Sequence, residues 1–158
     1  MGNTENYVVD GYDLSKLFDT SIRPISFAEP TDNHIPEFGS IIYSVWDKNE
    51  NFIYIGIAGI RNNRKSRSRM RAHRSGRRSG DQFSVYVQDF FVIPEVVKSG
   101  AYKFEKGKLD KLTKEYIQKN FSYRFVSFQS EDGNKIVQNL EKQIQNGVVG
   151  FKPLLNGS

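Results

Sequence analysis

Two short apolar runs, SIIYSVWD (40–47) and FIYIGIA (52–58), are separated by only four polar residues, KNEN. No other feature restricts the fold as much. In the first run Ile41, Tyr43 and Val45 alternate with Ile42, Ser44 and Trp46, and a period of two is the signature of a β-strand. Two β-branched and aromatic runs joined by a tight polar turn predict an antiparallel hairpin. If KNEN is the whole turn, Asp47 faces Phe52 and Val45 faces Tyr54. Tyr43 then lies on the same face as Val45, diagonal to Tyr54.

The remainder of the chain supplies cover for these strands. SYRFVSF (122–128) alternates and predicts a further strand. Helices are predicted over 63–76, 106–121 and 134–147. Asn62 or Asn63 would cap the first and Gly76 would end it, while Gly147 would stop the last. Leu109, Leu112, Tyr116 and Ile117 form the apolar side of the second, and Ile136, Val137, Leu140 and Ile144 that of the third. GDQFSVYVQDFFVIPEVV fits a strand and a helix equally well. Residues 1–38 carry three of the five prolines and no sustained period, so an N-terminal extension, mostly loop with a short helix in DGYDLSKLF, would wrap a domain spanning 39–158. These elements describe a small sheet covered by helices, of the α+β class.

At 158 residues the chain has the length of one domain. It has no cysteine, which excludes disulfides and a thiolate zinc centre. No apolar run reaches the ~18 residues of a membrane span. MGNTENYVVD lacks the charged and apolar regions of a secretion signal. The expectation is a cytoplasmic protein without a membrane partner.

Charge is distributed unevenly. Arg61, Arg64, Lys65, Arg67, Arg69, Arg71, Arg74, Arg77 and Arg78 place nine cations within 61–78 and no acid among them, against a net charge of +5 for the whole chain. Without that block the protein is mildly acidic. A single cationic sector on an acidic body favours a polyanionic partner.

Several side chains in and around this sector have the chemistry of a phosphate site. Arg69 and His73 are four residues apart and share one helix face. A guanidinium takes a phosphate bidentately, and an imidazole one turn on can give or accept a proton at the same group. Glu141 adjoins the apolar stripe of its helix, and the positions one turn away are Val137, Gln138, Ile144 and Gln145. A carboxylate there lacks a local cation and needs another partner, such as a donor from elsewhere or a metal. Gly56 and Gly59 mark a close backbone approach or an ordinary turn.

IIY (41–43), YIG (54–56), Arg69 with His73, Glu141 and Asn156 together resemble the GIY-YIG nuclease superfamily over residues 39–157. Tyr43 and Tyr54 keep an eleven-residue spacing, and Asn156 follows Glu141 by fifteen. Ile41 stands where the first motif has glycine. The resemblance implies a three-stranded antiparallel sheet flanked by helices, with the two tyrosines on its first two strands. It implies metal-dependent hydrolysis of a DNA phosphodiester without a covalent intermediate. Tyr43 would be the general base, although a free phenol titrates near about 10 and needs help. Tyr54 and His73 would bind the scissile phosphate or tune Tyr43, with His73 the other candidate base. Arg69 would neutralise the transition state, Glu141 would hold Mg²⁺ or Mn²⁺, and Asn156 would orient Glu141 or the closing tail. Arg61, Arg64, Lys65, Arg67, Arg71, Arg74, Arg77 and Arg78 would bind the DNA backbone, which confers affinity without sequence information. A compact chain without a fused recognition module points to a restriction- or defence-type enzyme cutting duplex DNA as a homodimer. The competing expectation is a non-catalytic module that binds nucleic acid through 61–78.

Overall fold

A computed structural model describes residues 7–59, 65–99 and 105–156. The predicted hairpin is the centre of the molecule. Strands β4 (Ser40–Trp46) and β5 (Phe52–Ala58) pair antiparallel, with Val45 opposite Tyr54 and Tyr43 opposite Gly56. The expected pairing of Asp47 with Phe52 is replaced by Trp46 with Phe52, because the register shifts after Val45. One extra residue on β5 is a bulge, and bulges cluster where a hairpin turns. Asp47 instead organises the turn, its Oδ1 accepting from the amides of Asn49 and Asn51 at 2.8 and 2.9 Å.

Strand β6 (Ser122–Phe128) pairs with the other side of β4, as its alternation predicts. The sheet is not three-stranded, however. Ile25–Ser26, β3, joins the free edge of β6, so the order is β3-β6-β4-β5. A two-residue strand has no period to read, and it forms because the edge of β6 offers unpaired amides and carbonyls. Val8–Val9 (β1) and Tyr12–Asp13 (β2) make a separate two-stranded ribbon. The molecule is α+β, with a four-stranded and a two-stranded sheet.

Alternation along the strands divides the core into two layers. Ile41, Tyr43, Val45, Tyr54, Ala58 and Tyr123 face α2 (Ser66–Ser75), α3 (Gln82–Val87) and α5 (Lys108–Asn120). Ile42, Trp46 and Ile55 face α1 (Ser15–Phe18) and α6 (Gly133–Gln145). The N-terminal segment belongs to this packing: Leu14, Leu17, Phe18, Phe27 and Ile35 are all buried. Its helix, α1, lies within the predicted DGYDLSKLF.

The ambiguous stretch after Gly80 is helical. Asp81 caps α3 by accepting from Ser84 N at 3.2 Å. The helix widens into a π segment over Gln88–Val92 before continuing as α4, Ile93–Ser99. Pro94 cannot donate to the preceding turn, and the widened segment directly before it absorbs that missing bond.

Helix α2 buries only Ser66, Met70 and His73, too little apolar surface to hold it. Its cationic side chains tie it down instead. Arg67 Nε donates to Ile35 O at 2.8 Å, while Arg74 donates to Phe27 O and Ala28 O at 2.8 and 3.0 Å. Ser66 Oγ donates to Gly39 O at 2.9 Å. Gly76, left-handed at φ 66°, ends the helix where a Cβ would strike the backbone of Lys114 on α5. Helix formation begins at Ser66, after the expected Asn62 or Asn63, which lie outside the described residues.

Gly56 of the YIG motif serves packing. The ring of Tyr43 crosses it on the neighbouring strand, and any Cβ there would overlap the phenol hydroxyl. Tyr43 is wholly buried and has no room to retreat. Gly56→Ala is expected to cost about 1–3 kcal/mol through overpacking, measured as a lower denaturation midpoint. A variant as stable as the parent would show that the ring yields freely.

Candidate active site

Alternation on β4 and β5 sends both tyrosines toward α2, and the four-residue step on α2 turns Arg69 and His73 to meet them. The Tyr43 and Tyr54 rings lie 6.4 Å apart between centroids, and the His73 ring is 5.5 Å from Tyr43 and 6.0 Å from Tyr54. The Tyr43 hydroxyl and His73 Nε2 are hydrogen-bonded. Arg69 bears on both phenols and reaches Asp81 Oδ1 at 3.8 Å. Four of the predicted catalytic residues therefore meet on one face of the sheet.

Asp81 is the residue that sequence reasoning missed. Its Oδ1 lies 2.7 Å from His73 Nδ1, and its Oδ2 accepts from Ser84 Oγ at 2.6 Å. The signal was present as a helix-capping pattern, an aspartate three residues before Ser84. Such a pattern announces a helix start and carries no mark of a second employment.

Burial shapes the electrostatics. It pushes the Tyr43 phenol well above its ordinary value, with Tyr54 adding to the rise and Arg69 opposing it. It pushes Tyr54 up to about 12 against the pull of Arg69, with Glu141 adding to the rise. His73 is lowered, because burial outweighs the attraction of Asp81. Burial also works to raise Asp81, but His73, Ser84 and Arg69 prevail and hold it below the usual carboxylate range. The site at neutral pH thus holds an ionised aspartate, a neutral imidazole, two protonated phenols and a guanidinium.

Glu141 comes from α6, which covers the opposite face of the sheet. Because β5 is the outer strand, a group on α6 can still bear on Tyr54 and Arg69 at that rim, and Glu141 does so. Its carboxyl is half-buried, and burial lifts it to about 7 against the pull of Arg69. No hydrogen bond or ion pair holds it among the described residues. A desolvated carboxylate without a partner fits one protein ligand of a hard cation. Among the described residues no group of three His, Cys, Asp or Glu gathers as a complete metal cage. An ion here would draw its other ligands from water and substrate, as Mg²⁺ commonly does.

Asn156 makes no hydrogen bond to Glu141. Its side chain imitates a strand: Oδ1 accepts from Ile55 N at 2.7 Å and Nδ2 donates to Ile55 O at 2.9 Å. With Leu154 N and Leu155 N donating to Phe52 O and Ile53 O, the tail closes the outer edge of β5 beside Tyr54.

The predicted DNA-binding residues divide. Arg67 and Arg74 are bound to the N-terminal segment, and Arg78 donates to Asp89 Oδ1 at 2.6 Å and Gln88 Oε1 at 3.1 Å. Arg71 lies 3.5 Å from Asp32 but stays exposed. Lys65 stacks over Phe38 with its ammonium 5.5 Å from the ring centre, and Arg77 is exposed. Arg61 and Arg64 lie outside the described residues. No helix among the described residues is long and apolar enough to cross a membrane.

The raised carboxyl of Glu141 has a consequence for stability. The folded state holds its proton between about 4.5 and 7 while the unfolded chain releases it, so folding stability falls as pH rises through that window. In metal-free protein, Glu141→Gln is expected to gain on the order of 2 kcal/mol at pH 8 and nothing at pH 4. Urea denaturation at both pH values measures this; an equal effect at each would remove the case for a desolvated carboxylate.

Comparison with family models, with curated proteins and with solved structures returned no match for this chain.

Proposed function

We propose that the chain is a divalent-metal-dependent DNA endonuclease of the GIY-YIG type, acting on duplex DNA in a restriction or defence role. The observation that carries this reading is the meeting of Tyr43, Tyr54, Arg69 and His73 under α2 with Glu141 within electrostatic reach. The tyrosine spacing, the Arg-x-x-x-His step and the glutamate without a local cation are independent features of the sequence, and the contact of the first two, with Glu141 bearing electrostatically on Tyr54 and Arg69, supports the reading.

The roles follow from exposure and charge. Arg69 keeps 22% of its side chain accessible, so its guanidinium is the cation that a scissile phosphate meets at the tyrosines. It would neutralise the charge that builds on the phosphoryl oxygens during attack. Tyr54, at the rim and largely covered, would donate its proton as a hydrogen bond to a phosphate oxygen. Glu141 would hold Mg²⁺ or Mn²⁺, which when bound stabilises charge on the phosphate and the leaving oxygen. Asn156 would keep the β5 edge, and with it Tyr54, in register. Lys65, Arg71 and Arg77 would meet flanking phosphates, and a second copy of the chain would serve the second strand.

Supercoiled plasmid incubated with Mg²⁺ should be nicked or linearised, and chelation should stop the reaction. Glu141→Ala should bind DNA as the parent does and cut roughly 100-fold more slowly or worse. Arg69→Ala should lose about 10²–10³ in rate. Salt-dependent binding without products in either metal would replace this reading with that of a non-catalytic nucleic-acid-binding module.

A further inference from the structure

Tyr43 presents a problem for any hydrolytic role. Its phenol is fully buried and holds its proton more tightly than a free tyrosine does. Arg69 alone does not reverse that, since the net shift is upward. A phenol in this state takes no proton from water unless its own proton has somewhere to go.

The geometry provides one acceptor. Asp81 is ionised and buried, so its oxygens only accept. One of them, Oδ1, lies 2.7 Å from His73 Nδ1, and that nitrogen must therefore carry the hydrogen. A neutral imidazole has one N–H, which leaves Nε2 with a free lone pair. Nε2 faces the Tyr43 hydroxyl, which must be the donor. The charged and titratable groups facing the imidazole are Tyr43 from β4, Tyr54 from β5, Arg69 from its own helix and Asp81 at the start of α3. Of these only Asp81 is anionic, and so only Asp81 favours a positive charge on His73.

We infer that Asp81, His73 and Tyr43 form a buried proton relay in which Asp81 is a positioning residue, fixing the imidazole so that Nε2 takes the Tyr43 proton. This assignment rests on the nuclease reading for its reaction and on the hydrogen bonds alone for its geometry. When water attacks phosphorus, its proton passes to the Tyr43 oxygen as the Tyr43 proton moves to His73 Nε2. The new P–O bond forms, the bond to the leaving oxygen breaks, and solvent supplies the proton that the leaving oxygen needs. His73 becomes imidazolium against the Asp81 carboxylate, and Tyr43 ends the step neutral, as it began. Two candidate bases thereby become one device: Tyr43 would take the proton of the water and His73 would accept the charge. The logic of a carboxylate that orients an imidazole, which in turn serves an oxygen acid, is general.

Ser84 gives Asp81 its second anchor, through both its amide and its hydroxyl. The carboxylate is therefore held from α3 while it holds a ring on α2. A purely structural interpretation also accommodates a satisfied buried histidine, and two measurements separate the alternatives.

The first requires no activity. Nitrogen-15 NMR of the full chain near pH 7 should show His73 neutral, protonated at Nδ1 and bare at Nε2. In Asp81→Asn the amide nitrogen can donate to Nδ1, and the hydrogen should move to Nε2 with the fold unchanged. A protonated Nε2 or an imidazolium in the parent overturns the relay, whether or not the protein cuts DNA.

The second is kinetic. With plasmid and Mg²⁺, Asp81→Asn should lose about 10²–10⁴ in kcat with little change in KM, the pattern of a misdirected imidazole. In a Tyr43→Phe background the same change should cost less than about threefold, since the relay has lost its outlet. Losses that multiply across the two sites, or a rise in KM alone, overturn the proposal. If the parent cuts nothing, the nuclease reading fails and the NMR result alone decides the relay's geometry. If Asp81→Asn does not fold, the parent spectrum decides in the same way.

Discussion

Three polar side chains, a phenol, an imidazole and a carboxylate, are buried against the sheet with almost no contact to water, and they satisfy one another. An unpaired group in such a place costs one to several kcal/mol, roughly a fifth of a small domain's net stability. The hydrogen-bonded chain from Asp81 through His73 to Tyr43 is thus a condition of the fold as well as the centre of the site. It links the start of α3, the last turn of α2 and the first strand of the hairpin. Gly56 supplies the gap the ring needs, and Gly76 allows the close approach of the end of α2 to α5.

The cationic helix then has two employments. A helix with so little apolar surface does not stay on a sheet by hydrophobic burial. Arg67 and Arg74 bind carbonyls of the N-terminal segment, and charge-assisted bonds of this kind are worth more than neutral ones. The same dense positive charge leaves Arg69, Arg71 and Lys65 with accessible nitrogen. The N-terminal segment is consequently a splint for the site: it buries Phe27 beside Phe83 and Tyr123 and fixes the helix that carries Arg69 and His73.

Much of this arrangement was legible in the sequence because it rests on local periods. The hairpin and its Val45–Tyr54 register, the strand over Ser122–Phe128, the last two helices and the common face of Arg69 and His73 all follow from spacing along one element. So does the lack of a cation one turn from Glu141. What escaped depends on contacts between different elements of the chain. Ile25–Ser26 is a strand only because β6 leaves an edge open. Arg67 and Arg74 read as phosphate ligands in one dimension and are clamps in three. Asp81 reads as a helix cap, which it is, and its second hydrogen bond is visible only when α2 and α3 are folded together. Asn156 was expected to orient Glu141 or the closing tail, and its hydrogen bonds go to the Ile55 backbone.

The two carboxylates of the site illustrate opposite uses of burial. Asp81 is buried with three partners and is held ionised, which makes it a fixed charge in the architecture. Glu141 is only half-buried, has no hydrogen bond or ion pair among the described residues, and is lifted by burial to about 7. A displacement from 4.5 to about 7 represents on the order of 3 kcal/mol between its two protonation states. Packing does not explain keeping such a group, because glutamine has nearly the same shape and carries no charge to desolvate. A bound cation would: ligation would displace the proton and return the desolvation energy as binding, so that affinity for the ion would rise as pH passes 7. One carboxylate therefore holds two helices together, and the other has no hydrogen bond or ion pair among the described residues, at the rim of β5 where, on the proposed reading, a phosphate and its ion would arrive together.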